Sequence, residues 1–224
     1  MDKGKKILDL IIEQGLVPLF YHDDEKLCEG ITTALYGGGI RILEFTNRGP
    51  QALSNFRKLR ALVDANLPGM QLGIGTIKTP ADARTFIEAG ADFIVCPIVH
   101  TGIAEICQEA KVLWVPGCLT ATEIAQAEAA GASLVKIFPG SLVGPSYITA
   151  IKDIFPGMKF MPTGGVEMNS ESISSWFKAG VIAIGMGSKL ITKQILEQAS
   201  YNTLQSASAE ALSIVHEVKK TTRS

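Results

Sequence analysis

The chain has 224 residues and a mass of 23.9 kDa, with 21 Lys and Arg against 22 Asp and Glu, which leaves a formal net charge of −1. That balance, with a pI near 6.3, provides no basic footprint for nucleic acid or an acidic membrane surface. Mean hydropathy is +0.23, yet the apolar residues fall in runs of about four to eight, well short of the ~18 that a membrane helix requires.

At the amino terminus, Asp9 and Glu13 interrupt what would be the apolar stretch of a secretory signal, and no small-residue cleavage site follows. A cytoplasmic protein is expected. The first strand-like run covers 15–20 and is followed by a helical pattern over 24–36. The alternation then repeats: a strand over 41–46 and helix over 51–65, a strand over 70–75 and helix over 80–89, a strand over 92–97. Further strands are predicted at 112–115, 134–138, 159–161 and 181–184, with helices at 122–130 and 170–179. The joints around Gly38-Gly39, Gly90, Gly131 and Gly180 place glycine where a helix must stop in the left-handed conformation. Strands apolar on both faces, alternating with helices, describe a parallel sheet covered by helices. Eight such units without a linker favour a single-domain (β/α)8 TIM barrel over 1–224, with a doubly wound open sheet as the alternative. The polar helical tail over 201–224 reads as an extension on the outside of the barrel or in an oligomer contact.

Cys28, Cys96, Cys107 and Cys118 have no C-x-x-C spacing and read as buried free thiols. His22, His100 and His216 show no metal-ligand spacing, so neither a metal nor a nucleotide cofactor is expected, and the histidines are given no role.

In a barrel of this kind the chemistry sits at the carboxyl ends of the strands. Lys136 stands out because Leu134, Val135, Ile137 and Phe138 surround one ammonium with large apolar side chains. Lysine is almost never buried without a partner. Burial would favour a neutral amine, available as a nucleophile for Schiff-base formation. A strand-end lysine reaching solvent, or one paired with Glu44 for structure alone, are the other readings. Glu44 is a second ionisable group in an apolar strand, and if it faced Lys136 the two would form an acid/base and nucleophile constellation. Arg48 would lie in the following loop, where it could grip a carboxylate or form a surface ion pair. Thr76 closes the third strand and Pro97 the fourth. Thr163-Gly164-Gly165 and Gly185-Met186-Gly187-Ser188 close the last two, where glycine lets backbone N–H groups approach an anion, so a phosphate site is expected there. Lys111, Lys159 and Lys189 are read as solvated.

The segments GGIRILEFTNRG, GIGTI, FIVCPI, VPGCLTATE, VKIFPG, PTGGV and GMGSKL occur in this order. Together, over about residues 5–195, the chain resembles the 2-keto-3-deoxy-6-phosphogluconate (KDPG) and 4-hydroxy-2-oxoglutarate (KHG) aldolase family. The resemblance implies a class I aldolase barrel, a homotrimer without metal, that takes a small phosphorylated 2-keto acid. It makes Lys136 the Schiff-base lysine and Glu44 the general acid/base. Arg48 and Thr76 would bind the pyruvyl carboxylate, and Pro97, Phe138 and Thr163 would line the pyruvyl pocket. Gly164, Gly165, Gly187 and Ser188 would hold the phosphate. The expected reaction is cleavage of the phosphogluconate derivative to pyruvate and glyceraldehyde 3-phosphate, with 4-hydroxy-2-oxoglutarate as a further substrate. Preference for the galactonate epimer is the alternative within the class, and a phosphate-binding barrel without aldolase activity the alternative outside it. Three departures from the family pattern bear on the aldehyde half of the substrate: Phe20-Tyr21 where a polar or Arg residue commonly ends the first strand, Asn47 and Gly49 in the glutamate motif, and Gly140 in place of Ala.

Overall fold

The computed structural model describes residues 3–222. Helix α1 (Lys3–Gln14) comes first and buries Ile7, Leu8, Ile11 and Gln14, one stripe of its surface. Strand and helix then alternate: β1 (Leu16–Phe20), α2 (Glu25–Gly37), β2 (Ile42–Thr46), α3 (Ala52–Asn66), β3 (Gln71–Gly75), α4 (Pro80–Glu88), β4 (Phe93–Val95), α5 (Thr101–Glu109) and β5 (Leu113–Val115). The second half runs through β6 (Gly117–Cys118), α6 (Ala121–Ala129), β7 (Leu134–Ile137), α7 (Gly140–Ile151), β8 (Lys159–Pro162), α8 (Ser170–Ala179), β9 (Ile184–Met186), α9 (Lys193–Gln198) and α10 (Tyr201–Thr222). The helices start where a side chain can hold their free N–H groups: Asp24, Thr79, Thr120, Asn169 and Thr192 each accept from the helix they precede.

Every strand pair is parallel, in a six-stranded sheet ordered β5-β4-β3-β2-β1-β9 and a three-stranded sheet ordered β6-β7-β8. The run predicted at 112–115 is thus the first part of a longer extended segment that Pro116 divides. Proline has no N–H to give a ladder, so β5 pairs with β4 before it and β6 pairs with β7 after it. The Pro116 carbonyl still accepts from the Lys136 N–H at 2.8 Å. At the opposite edges, Thr163 bridges Gly185 and the Ile182 N–H reaches the Phe160 carbonyl at 3.1 Å. The strand predicted at 181–184 begins later, because the Val181 N–H is taken up by the Trp176 carbonyl where α8 ends. Helix α7 escaped the periodicity argument because Gly144 (φ 69°, ψ 176°) and Pro145 break its pattern.

Side chains alternate between the strand faces. One set, Val17, Ile42, Phe93, Val95, Leu113, Val115, Leu134, Met161 and Ala183, packs against Ile7, Leu8 and Ile11 of α1. The other faces α2 to α10 in a larger apolar cluster. Two residues further along, the same alternation reaches Glu44 in β2, Lys136 in β7, Thr163 just past β8 and Gly185 in β9. Apolar residues and α1 therefore fill the amino end of the inner face, and polar groups occupy its carboxyl end.

The tail read as an extension forms α10, which lies against α2, α8 and β1 and buries Leu204, Ser208, Ala211, Leu212, Val215 and Val218. Its approach to α2 is close: a Cβ at Gly38 would lie 2.6 Å from both the Gln205 carbonyl oxygen and the Ser208 Cβ. Among the described residues no helix is long and apolar enough to cross a membrane.

Candidate active site

Lys136 on β7 and Glu44 on β2 meet on the inner face, with Nζ 3.6 Å from Oε1. Lys136 is 4% exposed and Glu44 1%. The reading of Lys136 as a strand-end lysine in solvent is therefore excluded, and the two groups face one another. Their separation is too long for a hydrogen bond, and neither Glu44 oxygen has a hydrogen-bond partner. A buried ion pair stabilises a fold only when its remaining lone pairs are satisfied; this one leaves its carboxylate open to a reacting group. The Lys136 ammonium also stands 5.2 Å from the centre of the Phe138 ring, within cation–π range.

Glycine makes the room. A Cβ at Gly75 would overlap the Glu44 carboxylate, and one at Gly185 would overlap the Thr163 hydroxyl. The Thr163 Oγ1 is itself buried without a partner. Thr76, directly after Gly75, has φ 63°, a conformation that costs a β-branched residue energy and marks the end of β3 as constrained by its surroundings. Pro97 is half-buried after β4, and the β6 backbone runs so close to it that a Cβ at Gly117 would lie 2.5 Å from its carbonyl carbon. Arg48 is exposed in the β2–α3 loop, its N–H donating to the Thr46 carbonyl at 2.9 Å, and its guanidinium makes no ion pair among the described residues. Tyr21 packs on Phe45 at 5.6 Å and donates to Asp23. Its hydroxyl occupies the space a side chain at Gly49 would need, so two of the departures from the family pattern fit one another.

At the ends of β8 and β9, Gly164 and Gly165 have φ 83° and 76° and are exposed, as is Ser188, while Gly187 is half-buried. The Gly140 N–H donates to the Thr163 carbonyl at 2.9 Å, which ties the start of α7 to the first of these turns. No hydrogen bond among the described residues uses the amide N–H of Gly165 or Ser188. Lys189 is not merely solvated: its Nζ lies 2.9 Å from the Glu167 Oε2, joining the two turns. The opposite charges beside each glycine turn were the signal for this pair.

The remaining conspicuous residues are structural. The His22 Nδ1 accepts from the Asp24 N–H, and the His22 carbonyl accepts from Cys28 and Asn55. All four cysteines are free and buried, and burial pushes each thiol up to about 12. Among the described residues no group of three or more His, Cys, Asp or Glu could hold a metal ion. Two surface clefts, of about 790 and 470 Å³, lie at the amino ends of the strands, away from Lys136. Apart from Lys111, their charged residues are taken up in ion pairs, Lys3 and Arg60 with Asp92, Lys5 with Asp9 and Arg60 with Asp64. We place the site at the carboxyl ends because the unpartnered Glu44 and Thr163 oxygens lie there beside Lys136, whereas among the described residues the one unpartnered side-chain atom at these clefts is the Arg60 Nε of a guanidinium already in ion pairs.

A lysine buried against an unsatisfied carboxylate, at the carboxyl ends of parallel strands and beside two glycine turns, has the form of an enzyme active site in the α/β class. The family model described as "KDPG and KHG aldolase" matches residues 7–207, and the chain belongs to that family, which makes it an aldolase. It is 28% identical over 212 residues to the 2-dehydro-3-deoxy-phosphogluconate aldolase of Pseudomonas aeruginosa, covering 94% of this chain and 93% of that one. It is 32% identical over 182 residues to the 2-dehydro-3-deoxy-6-phosphogalactonate aldolase of Escherichia coli, covering 81% and 83%. Among solved structures, a 4-hydroxy-2-oxoglutarate/phosphogluconate aldolase from TTHB1 superposes with a TM-score of 0.78 at 30% identity, over 96% of this chain and 99% of that one. The alternative of a phosphate-binding barrel without aldolase activity is set aside.

Proposed function

We propose that the protein is a class I aldolase that cleaves 2-dehydro-3-deoxy-6-phosphogluconate to pyruvate and glyceraldehyde 3-phosphate, with 4-hydroxy-2-oxoglutarate as a second substrate. The observation that carries this reading is the buried Lys136 facing the unsatisfied Glu44 carboxylate at 3.6 Å. The Lys136 amine attacks the C2 ketone, and loss of water from the carbinolamine gives an iminium. Glu44, through a water, takes the proton of the C4 hydroxyl; the C3–C4 bond breaks and its electron pair moves into the iminium, leaving an enamine and the free aldehyde. Glu44 then returns the proton to C3, and water hydrolyses the iminium to pyruvate and the lysine. The iminium serves as the electron sink, so the scheme uses neither metal nor cofactor.

Arg48 and Thr76 hold the pyruvyl carboxylate in this reading, and Pro97, Phe138 and Thr163 wall the keto acid. The turns at Gly164, Gly165, Gly187 and Ser188 take the phosphate. The two sheets act as one (β/α)8 barrel, with Pro116 and the Thr163–Gly185 bridge as its seams and α10 in its outer layer. Ile98 in the β4–α5 loop, and Leu142 in the first turn of α7 at 72% exposure, fit a subunit contact in a homotrimer. Four unpaired thiols fit a reducing cytoplasm.

Reduction with borohydride in the presence of pyruvate, followed by peptide mass analysis, tests the reading. A reduced pyruvyl adduct on Lys136 is expected, and a folded protein that forms none would overturn it. The similarity to the E. coli phosphogalactonate enzyme supports a second reading, preference for that epimer. Relative kcat/KM for the two epimers separates them.

A further inference from the structure

We propose that Lys189 is the cation that receives the phosphoryl group of the substrate, and that Glu167 holds it in place while the site is empty. The proposal rests on the reading of the glycine turns as the phosphoryl site. In the loops that follow β8 and β9, residues 163–169 and 187–192, Lys189 is the one cation and Glu167 the one anion. Their charged ends meet at 2.9 Å between the turns, with side chains 53% and 51% exposed. The segment 138–142, which closes the same side, carries no charge. On the other side stands β1, which pairs with β9 and brings the Leu19 carbonyl oxygen to within 3.4 Å of where a Gly187 side chain would begin. The loop after β1 offers Tyr21, His22, Asp23 and Asp24, so it has no Lys or Arg, the His22 Nδ1 is taken up by the Asp24 N–H, and two carboxylates stand there. A dianion entering the turns therefore has one cation within their own loops.

The exchange is chemically favourable. A half-exposed ion pair is screened by solvent and contributes little, so Lys189 leaves Glu167 at little cost. A phosphoryl dianion carries more charge than a carboxylate and offers three acceptor oxygens, and the unused N–H groups of Gly165 and Ser188 add to its hold. Glu167 keeps the ammonium pointed across the turns instead of into solvent. In this arrangement Lys189 sets the preference for a phosphorylated over an unphosphorylated aldehyde half.

The test compares Lys189→Gln, Glu167→Gln, the double variant and Gly164→Val on the phosphorylated substrate and on 4-hydroxy-2-oxoglutarate, with inorganic phosphate as a competitive inhibitor. A Cβ at Gly164 would meet only the Gly140 nitrogen, at 4.0 Å, but its φ of 83° strains a β-branched residue, so cleavage of the unphosphorylated substrate is the control that each variant is folded. Lys189→Gln should raise KM for the phosphorylated substrate and the inhibition constant of phosphate by about tenfold, with little change for the unphosphorylated one. Glu167→Gln should lower that KM severalfold, and the double variant should behave as Lys189→Gln, because Glu167 acts through the lysine. Equal KM changes on both substrates in Lys189→Gln overturn the proposal. If Gly164→Val shifts the selectivity and Lys189→Gln does not, the lysine assignment fails and the phosphoryl turns stand. If neither shifts it, the turns are not the phosphoryl site and both fall.

Discussion

Gln14 and Glu44 are both polar, both buried, and both contact the strands of the same sheet, yet their surroundings differ in kind. Gln14, at the amino end, donates from Nε2 to the carbonyls of Leu16 and Ile42 and accepts at Oε1 from the N–H groups of Arg41 and Ile42. Nearby, Asp92 is bound by Arg60, Lys3 and the Leu72 N–H. Glu44, at the carboxyl end, has no hydrogen bond at either oxygen, and the Thr163 hydroxyl has none either. Unsatisfied buried groups cost stability, so a fold that completes one end of its strands and leaves the other open has reserved those groups for a substrate. The Arg60 Nε is the exception at the amino end.

Substitutions can break this contrast, and the largest effect belongs to the open end. Lys136→Ala should lower kcat/KM by at least about 10⁴-fold and abolish the borohydride-trapped adduct while the circular dichroism spectrum is retained; cleavage near the wild-type rate would sink the assignment. Gly75→Ala pushes a methyl group into the Glu44 carboxylate and should reduce kcat about 10²-fold, with an overpacking cost of about 1–3 kcal/mol. At the closed end the outcome reverses: Gln14→Ala strands backbone groups of Leu16, Arg41 and Ile42, and should cost about 2–3 kcal/mol in urea unfolding with kcat of the folded enzyme unchanged. A large fall in its kcat would erase the division between the ends.

The thiols sharpen the comparison through pH. Each is held by burial at about 12, above the value of an unfolded cysteine, so the unfolded chain loses its thiol protons first as pH rises. Their contribution is complete below pH ~8.5 and should decline towards pH 12 by at most about 1.4 kcal/mol per pH unit for each thiol. Native protein should resist alkylation at pH 8 and react at all four positions in urea. The smallest effect is expected at Thr120, which forms a capping box with Glu123. It lies at the carboxyl end but its polar groups are satisfied, so Thr120→Ala should cost about 1 kcal/mol and leave cleavage untouched. Loss of activity there would mean that position along the strands, rather than satisfaction, decides function.

Lys136 and Glu44 were legible in the sequence because an ionisable residue in an apolar strand violates the pattern around it, and the glycine turns because they close strands. Other features depended on groups far apart in sequence. The left-handed backbone of Thr76 is set by its neighbours, and a threonine codes for no such turn. The Lys189–Glu167 pair requires knowing that β8 and β9 end side by side. The role of Pro116 as a joint was available in principle, since proline inside an apolar run argues against a continuous strand. The stripe of Ile7, Leu8 and Ile11 likewise marked a helix, but only the packed structure shows which end of the strands it fills.

The contact of α10 with α1 carries a consequence for the order of assembly. The Lys219 ammonium donates to the carbonyls of Ile12 and Glu13, the last turn of the first helix, and Val215 and Lys219 cover Gly15. Residues 206 and 207 positions apart in sequence thus share one contact, and its loop closes only once α10 has left the ribosome. Until then Leu16 and the apolar face of α2 lack their final cover. The nascent polypeptide must carry an unsealed hydrophobic edge until α10 is made, which makes the interval between α2 and α10 its period of greatest exposure to aggregation.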